Sequence, residues 1–514
     1  MIDMIYVIGL DIGTTSTKAV LFKMDGSVVA ESESAYPVYH PHPSWVEQDP
    51  FEIEAAAIEA LQTVISKGAI PSQQIASVGI SSAMHSLICM DENQSPLSAS
   101  LTWADGRSVE QAEQLQRGKG KAVYLNTGTP IHPMSPLVKL IWMKENKYEP
   151  YKNAAKFISI KEFLLQRWFG QYVVDYSVAS ATGLFNIHTF TWEAEALQLA
   201  GISEDQLSTP VPPTYVCEGL KDEIATQIGI RSDLPFVIGA SDGPLANLGI
   251  GAISPGDVAM TIGTSGAIRQ MAAKPKTDEL QEIFCYGLTK DLWIMGGPTN
   301  NGGIVLQWMK EVIGEHETQI AKQKGISAFE VLTDLAKDVR AGSDGVLFLP
   351  FLNGERAPYW DANARGSFVG LSLAHKKEHL VRASMEGVIF SMFSVGEALE
   401  RLAGKPVNLF ASGGFARSSL WLQIVADLFG HEVKVPESHQ SSAWGAAWLS
   451  LVAIGKAQSL ADIKHYIPMK DTFTPDLANH KTYQELYLTY RNLYDALKPN
   501  FETLANFQRN QNLS

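Results

Sequence analysis

The sequence predicts an α/β protein built from two similar domains, and three observations lead there. Short apolar runs of strand character alternate with long segments of helical periodicity along most of the 514 residues, the pattern of an α/β architecture. A chain of this length exceeds what one hydrophobic core supports. The third observation is a repeat. "LDIGTTSTKA" (10–19) and "MTIGTSGAIR" (260–269) share one plan of apolar strand, Gly-Thr, hydroxyl residue and second strand. They lie nearly half the chain apart, far beyond the period of a solenoid repeat. The boundary between the two domains is placed at 251/252, giving segments 1–251 and 252–514.

Taken in order, the first 30 residues read as two strands joined by a turn at Asp25-Gly26, a strong hairpin signal. "DPFEIEAAAIEALQTVIS" (49–66) reads as a helix, with Asp49 as cap, Pro50 in its first turn and apolar residues at helical spacing. "IASVGIS" (75–81) is a buried strand followed by the loop "SAMHS", and 136–147 and 160–169 are helical. "PFVIGASDGPLANLGIG" (235–251) is a strand running into a glycine-rich turn and a helix of small residues. Strands follow at 292–296, 345–351 and 407–412, with helices at 302–313, 326–340, 375–402, 417–429 and 441–454. The tail carries Tyr483, Leu486, Tyr487, Tyr490, Leu493, Tyr494 and Leu497 at helical spacing. That stripe is expected to dock on its own domain; its alternative use is a homodimer interface.

Composition narrows the function. A net charge of −14 repels polyanions and argues against nucleic-acid binding. Cys89, Cys217 and Cys285 are too few and too scattered for a disulfide framework or a zinc site, which points to a reducing cytoplasm. The amino terminus has no signal-peptide pattern. Residues 438–455 lack Asp, Glu, Lys and Arg, but their serines and glycines mark a buried helix rather than a membrane span.

Several constellations carry chemistry. The turn after Asp11 holds Thr14, Thr15, Ser16 and Thr17 in a row, closed by Lys18, more hydroxyls than a hairpin needs. Tight turns gather backbone N–H groups into a nest for anionic oxygens, and glycine allows close approach. The second copy, Gly263, Thr264 and Ser265, has the same phosphate-binding character but Thr261 in place of Asp11. Only the first turn therefore handles a metal, and Asp11 suits Mg²⁺ held together with phosphate. Asp242, in "GASDGPLANLG", ends a strand and starts a helix. Its position at the carboxyl end of an α/β strand, just before the second turn, favours a catalytic base over a helix cap. In "GGPTNNGGIVLQWMKEV" (296–312), Asn300 or Asn301 can cap the helix and Gly302-Gly303 bare its first N–H groups for an anion. Gly413 and Gly414 offer flat backbone to a planar base. Met84, His85, Trp103, Asp105 and Arg107 are candidate polyol contacts, Asp105 and Arg107 gripping it from both sides and Trp103 facing its carbon chain.

The motifs "GLDIGTTSTKAVLF", "TWADGRS", "GASDG", "TIGTSGA" and "GVLFLPFLNGERAPYWDANARGSFVGL" (345–371), in this order, resemble the FGGY carbohydrate kinase family over residues 5 to about 455. The resemblance implies the actin-like ATPase superfold, with two ribonuclease-H-like domains around a nucleotide cleft. It also implies ATP and Mg²⁺ as cofactors. By it Asp242 is the base, Asp11 the metal-associated aspartate, and Thr14, Thr15 and Lys18 part of the first phosphate loop. Gly263, Thr264 and Ser265 form the second, Gly413 and Gly414 the adenosine site, and Met84, His85, Trp103, Asp105 and Arg107 the polyol site.

Within that family, "SSAMHSLICMDENQSPLSASLTWADGRS" and "NTGTPIHPMSPLVKLIWMKE" are most similar to members acting on gluconate. The implied activity is ATP-dependent phosphorylation of a primary hydroxyl of an open-chain sugar acid, D-gluconate giving 6-phosphogluconate. Xylulose or another pentulose or polyol is the alternative substrate, since the Met-His pair is shared. A chaperone-like or cytoskeletal ATPase would need no polyol pocket. A non-catalytic sugar sensor would need neither Asp242 nor two intact phosphate loops. The substrate carboxylate calls for a cation, Arg107 first, with His85, His132 and Lys139 behind it. The segment 345–371 reads as structural support.

Overall fold

A computed structural model describes residues 5–437 and 440–510. The chain forms two compact units. The first comprises Met1–Pro255, Met271–Met295 and Ser438–Pro468, the second Gly256–Gln270, Gly296–Glu437 and Met469–Ser514. Two stretches of the carboxyl-terminal half thus cluster with the first unit, which a single cut at 251/252 does not describe.

The first unit is built on a six-stranded sheet in the order Val216–Cys217, Phe236–Ser241, Ile75–Ser82, Tyr6–Ile12, Ser16–Lys23, Val28–Ala35. Tyr6–Ile12 pairs antiparallel with Ser16–Lys23 and parallel with Ile75–Ser82, which pairs parallel with Phe236–Ser241. The first 30 residues therefore hold parts of three strands, not two. The Gly13–Thr15 turn reverses the chain before the Asp25-Gly26 turn does, because hydroxyl side chains and a glycine make it as sharp as any hairpin tip. Helix Pro50–Gly68 starts where Asp49 accepts the Phe51 N–H at 2.8 Å.

Helix Ser441–Ala453 belongs to this unit and explains the charge-free window, whose residues 438–439 lie outside the described residues. It lies against the backbone of the sheet: a Cβ at Gly9 would run into the Ala443 carbonyl, and one at Gly79 into that of Ala446. Both helix and strands are buried there. Close backbone approach leaves no room for a methyl group, and overpacking costs about 1–3 kcal/mol. Gly79→Ala is therefore expected to lower the urea midpoint of unfolding by at least that free energy, with the effect read at constant m. Among the described residues no helix is long and apolar enough to cross a membrane.

The second unit repeats the plan. Its strands belong to a seven-stranded sheet in the order Phe284–Thr289, Leu292–Thr299, Gly266–Ala272, Asp257–Ile262, Asn408–Ser412, Val433–Pro436, Met469–Phe473. Asp257–Ile262 pairs antiparallel with Gly266–Ala272 and parallel with Asn408–Ser412, which pairs parallel with Val433–Pro436. In both sheets the strand leading into the Gly-Thr turn is central, flanked by its hairpin partner and by a parallel strand.

The expected helix 326–340 is Ala328–Ala336, preceded by a second helix, Glu315–Lys324, that polar sequence concealed. Gly325, at φ +66°, separates the two. The tail stripe docks on its own unit: Tyr483, Tyr487, Tyr490 and Tyr494 of helix Leu477–Asn510 are buried, and Phe390 stacks on Tyr487 and Tyr490 and meets Tyr483 edge to face. Tyr483 Oη donates to Glu386 at 2.8 Å and accepts from Arg382 at the same distance.

Candidate active site

In the first unit the turn 13–16 closes with Gly13 N–H donating to Ser16 O at 3.0 Å. Its carbonyls are tied back into the protein. Tyr36 Oη donates to Gly13 O at 2.6 Å and Gln48 Nε2 to Thr14 O at 2.6 Å. Trp103 Nε1 donates to Thr14 Oγ1 at 2.9 Å, so the indole fixes the turn while belonging to the "TWADGRS" loop. Thr15 is exposed. Ser16 Oγ donates to Glu33 at 2.6 Å, and Lys18 lies 3.8 Å from the same carboxylate.

Asp11 stands directly across the ladder from Lys18 and beside Ser81 on the parallel strand. Ser81 Oγ donates to Asp11 Oδ1 at 2.6 Å. The surrounding protein pushes the Asp11 carboxyl up to about 6 by desolvation, Ser81 opposes this, and the nearby Asp242 carboxylate adds to it. Asp242, half-buried, is the first residue of helix Asp242–Gly249, after Ser241 at the N-cap. Its Oδ1 accepts the Gly243 N–H at 2.8 Å. The two carboxylates thus lie toward the ends of the two strands that flank Ile75–Ser82 in one sheet, where α/β sites lie.

His85, at φ +67°, is buried with Nδ1 2.7 Å from Ala181 O, and Met84 packs on the core beneath the sheet. Asp105 and Arg107 spend most of their hydrogen bonding on each other. Arg107 Nε donates to Asp105 Oδ1 and Nη2 to Oδ2, each at 2.8 Å, and Nη2 also reaches Glu47 at 2.5 Å. Asp105 Oδ2 additionally accepts Val46 N–H at 2.8 Å. The guanidinium lies 3.8 Å from the Trp45 ring centroid and 5.3 Å from that of Trp142, two indoles in edge-to-face contact with each other, a cation packed against aromatic rings. Its Nη1 is buried without a hydrogen bond. The pair thus forms an internal clamp that shapes the loop.

Lys139 differs from expectation. Fully buried, its ammonium donates to His85 O at 2.8 Å, Thr102 O at 2.6 Å and Met134 O at 2.8 Å, which uses all three N–H groups. Burial pushes its pKa down to about 7, and the Asp105 carboxylate opposes that. Lys139 ties the "AMHS" and "WADGR" loops together and has no donor left for a substrate. His132 Nδ1 accepts the Met134 N–H at 3.1 Å.

In the second unit Gly263 N–H donates to Ser265 O at 2.9 Å, closing the second turn. The position matching Asp11–Ser81 holds Thr261 and Ser412, whose hydroxyls lie 2.9 Å apart. The repeat keeps a side-chain contact at this register and drops the charge. The start of helix Gly303–Ile313 corrects an expectation. Its N–H groups are not bare: Gly302 N donates to Thr264 O (3.2 Å), Gly303 N to Gly263 O (2.7 Å) and Ile304 N to Thr264 O (3.1 Å). The two glycines permit this docking, since a Cβ on Gly302 would sit 2.6 Å from Ser265 C and one on Gly303 2.7 Å from Gly263 O.

Asn301 does not cap that helix either. Its buried side chain donates to Gly354 O at 2.7 Å and to Glu355 at 3.1 Å, and accepts from Asn353 N at 3.3 Å. Glu355 also accepts Asn300 N–H at 2.5 Å, and burial pushes its carboxyl up to about 7. The 345–371 segment thus braces the second turn's support through Glu355. Gly413, at φ +96°, brings the chain within 2.6 Å, measured from an added Cβ, of Ile262 O.

Sequence reasoning missed Ser81, Tyr36, Gln48, Glu47 and Glu355. Each acts through pairing or loop contacts between segments distant in sequence, and its residue type carries no signal by itself.

Two units that repeat one strand order, each with its central hairpin closed by a Gly-Thr turn, define a class: a two-domain α/β protein consistent with the actin-like ATPase fold. Residues 6–249 match the model of the FGGY family of carbohydrate kinases, N-terminal domain, and residues 258–454 match that of its C-terminal domain. The chain belongs to the FGGY family of carbohydrate kinases, enzymes of ATP-dependent phosphoryl transfer to a sugar.

A gluconokinase of Bacillus subtilis is 47% identical over 506 residues, 98% of either chain. A xylulose kinase of the same organism is 31% identical over 98% of this chain and 100% of the other. A crystal structure of gluconate kinase from Lactobacillus acidophilus superposes with TM-score 0.92 at 36% identity, covering 98% and 100% of the two chains. A ligand-bound xylulose kinase from that organism has the same TM-score at 37% identity, covering 97% and 99%. Backbone similarity therefore does not separate the two substrates.

Proposed function

We propose that this protein is an ATP-dependent gluconate kinase, transferring the γ-phosphoryl group to the primary hydroxyl of D-gluconate, with Asp242 as base. The observation that carries the mechanism is the pair Asp11 and Asp242 on the two strands that flank Ile75–Ser82, beside a hydroxyl-rich turn whose carbonyls are tied back. The higher identity to gluconokinases than to xylulose kinases supports the substrate. Thr14, Thr15 and Ser16 with Lys18 nearby, and Gly263, Thr264 and Ser265, are the proposed phosphate contacts. Gly413 and Gly414 serve adenosine, and Gly302 acts by backbone placement of the second turn.

Mg²⁺ fits Asp11: one half-buried carboxylate close to a second is what a nucleotide-bound cation needs. Among the described residues no group of three His, Cys, Asp or Glu side chains converges to hold a metal alone, which agrees with a cation that arrives with ATP. When bound it neutralises phosphate charge. The chain's own contribution is positioning. The turns orient the phosphates, and Asp242 holds the sugar hydroxyl and accepts its proton. Met84, His85 and the loop braced by Trp103, Asp105 and Arg107 shape the sugar site, Arg107 Nη1 being the donor left for the carboxylate. The proposed setting is the cytoplasm.

The test is ADP release with Mg-ATP and gluconate, xylulose, ribulose or glycerol. Gluconate-dependent turnover supports the substrate, and preference for xylulose replaces it while keeping the kinase. The Asp11 carboxyl is protonated below about 6 and ionised above. We therefore expect kcat/KM for Mg-ATP to rise with pH through about 6 and then level, and Asp11→Asn to lose that acid limb with most of the activity.

A further inference from the structure

The strand that delivers Asp242 is irregular just before it. Its pairing with Ile75–Ser82 shifts register between Val237 and Ala240, and Gly239 takes φ +65° with Ile80 O so close that no Cβ fits. The ladder lapses at residues 238–239 and resumes at Ala240–Ser81 and Ser241–Ser82. A buried side-chain network braces the same stretch.

Lys161, in helix Ile160–Phe169, donates to Ala240 O at 2.8 Å and Ile238 O at 3.2 Å, and pairs with Asp175 Oδ2 at 2.7 Å. Asp175 Oδ1 accepts Ser177 N–H (3.0 Å), Ser177 Oγ–H (2.6 Å) and Val178 N–H (3.1 Å). Ser177 Oγ in turn accepts the Ser241 N–H at 2.8 Å. Lys161 is 1% exposed, and Asp175, Ser177 and Ser241 are fully buried. Every link lies in the first unit, and two chains of hydrogen bonds converge on the two residues that precede Asp242. Burying such an ion pair brings little or no net stability over apolar residues of the same volume. A fully satisfied polar network does rigidify what it holds.

We propose that Lys161, Asp175 and Ser177 are positioning residues for Asp242, setting the strand end so that its carboxylate meets the sugar hydroxyl. The proposal rests on the reading of Asp242 as base. A misplacement on the ångström scale costs on the order of 10²-fold in rate. Ser177→Ala and Asp175→Asn are therefore expected to lower kcat about 10- to 100-fold with KM for gluconate and ATP little changed, while Ser177→Thr, which keeps the hydroxyl, restores kcat.

A double-mutant cycle with Asp242→Asn separates the alternatives. Positioning through Asp242 predicts that Ser177→Ala/Asp242→Asn turns over no more slowly than Asp242→Asn alone. Unchanged kcat per folded molecule in both single variants, or independent losses that multiply, overturns the proposal and leaves a structural ion pair. Full activity of Asp242→Asn instead overturns the base reading itself, and so is told apart from failure of the network. Asp175→Asn preserves side-chain volume and an acceptor for Ser177, so the test stands if Ser177→Ala does not fold.

Discussion

Asp242→Asn is expected to lower gluconate-dependent kcat by about 10²- to 10⁴-fold, the range a positioned general base contributes, while leaving the fold intact. The side chain is half-buried at the first turn of its helix, and its Oδ1 accepts the adjacent Gly243 N–H, a contact that an asparagine oxygen reproduces. What asparagine cannot do is take the proton of the attacking hydroxyl. Steady-state ADP release gives kcat, and thermal unfolding shows whether the protein is folded. Retention of wild-type kcat would remove Asp242 from the mechanism. Because phosphoryl transfer depends chiefly on positioning and charge neutralisation, the residual rate should still exceed that of ATP and gluconate in water.

Arg107→Ala should have the largest effect on stability, about 3–5 kcal/mol, the cost of removing one partner of a buried ion pair. The guanidinium serves Asp105 through two hydrogen bonds and Glu47 through a third, and lies against Trp45 and Trp142. Its loss strands the fully buried Asp105 carboxylate. Arg107→Lys should recover only part, since an ammonium cannot make the side-on pair. Asp105→Asn/Arg107→Met should cost less than Arg107→Ala, because no charge is left unpaired. Urea denaturation of the three variants at constant m measures this. Equal midpoints for Arg107→Ala and the double variant would show that the clamp is not an ion-pair effect.

These two residues show how far the sequence was legible. Asp242 was placed correctly at a strand-to-helix junction because "FVIGAS" is an unbroken apolar strand and the glycine and proline after Asp242 mark the turn into a helix. Arg107 was visible as a functional type but not as a partner. Its spacing from Asp105 permits a substrate grip, a mutual pair or both, and Glu47, Trp45 and Trp142, which complete the pair, come from other segments. Lys139 is similar: a lysine in an apolar helix, Pro136–Glu145, signals something unusual, but only folding brings three carbonyls to its ammonium.

By itself the sequence determined the alternation of strands and helices, the two Gly-Thr turns and the acidic residue that distinguishes them, since periodicity and turn chemistry are local properties. Tertiary structure alone decided which segments share a unit. Helix Ser441–Ala453, from the carboxyl-terminal half, packs against strands Tyr6–Ile12 and Ile75–Ser82 because glycines at 9 and 79 let backbones touch. It also decided that the Gly302 and Gly303 N–H groups bind the second turn rather than an anion, and that Ser81 bonds Asp11. Such pairings join residues far apart in the chain, and the free energy that selects them comes from close packing and satisfied buried groups, which no local pattern encodes.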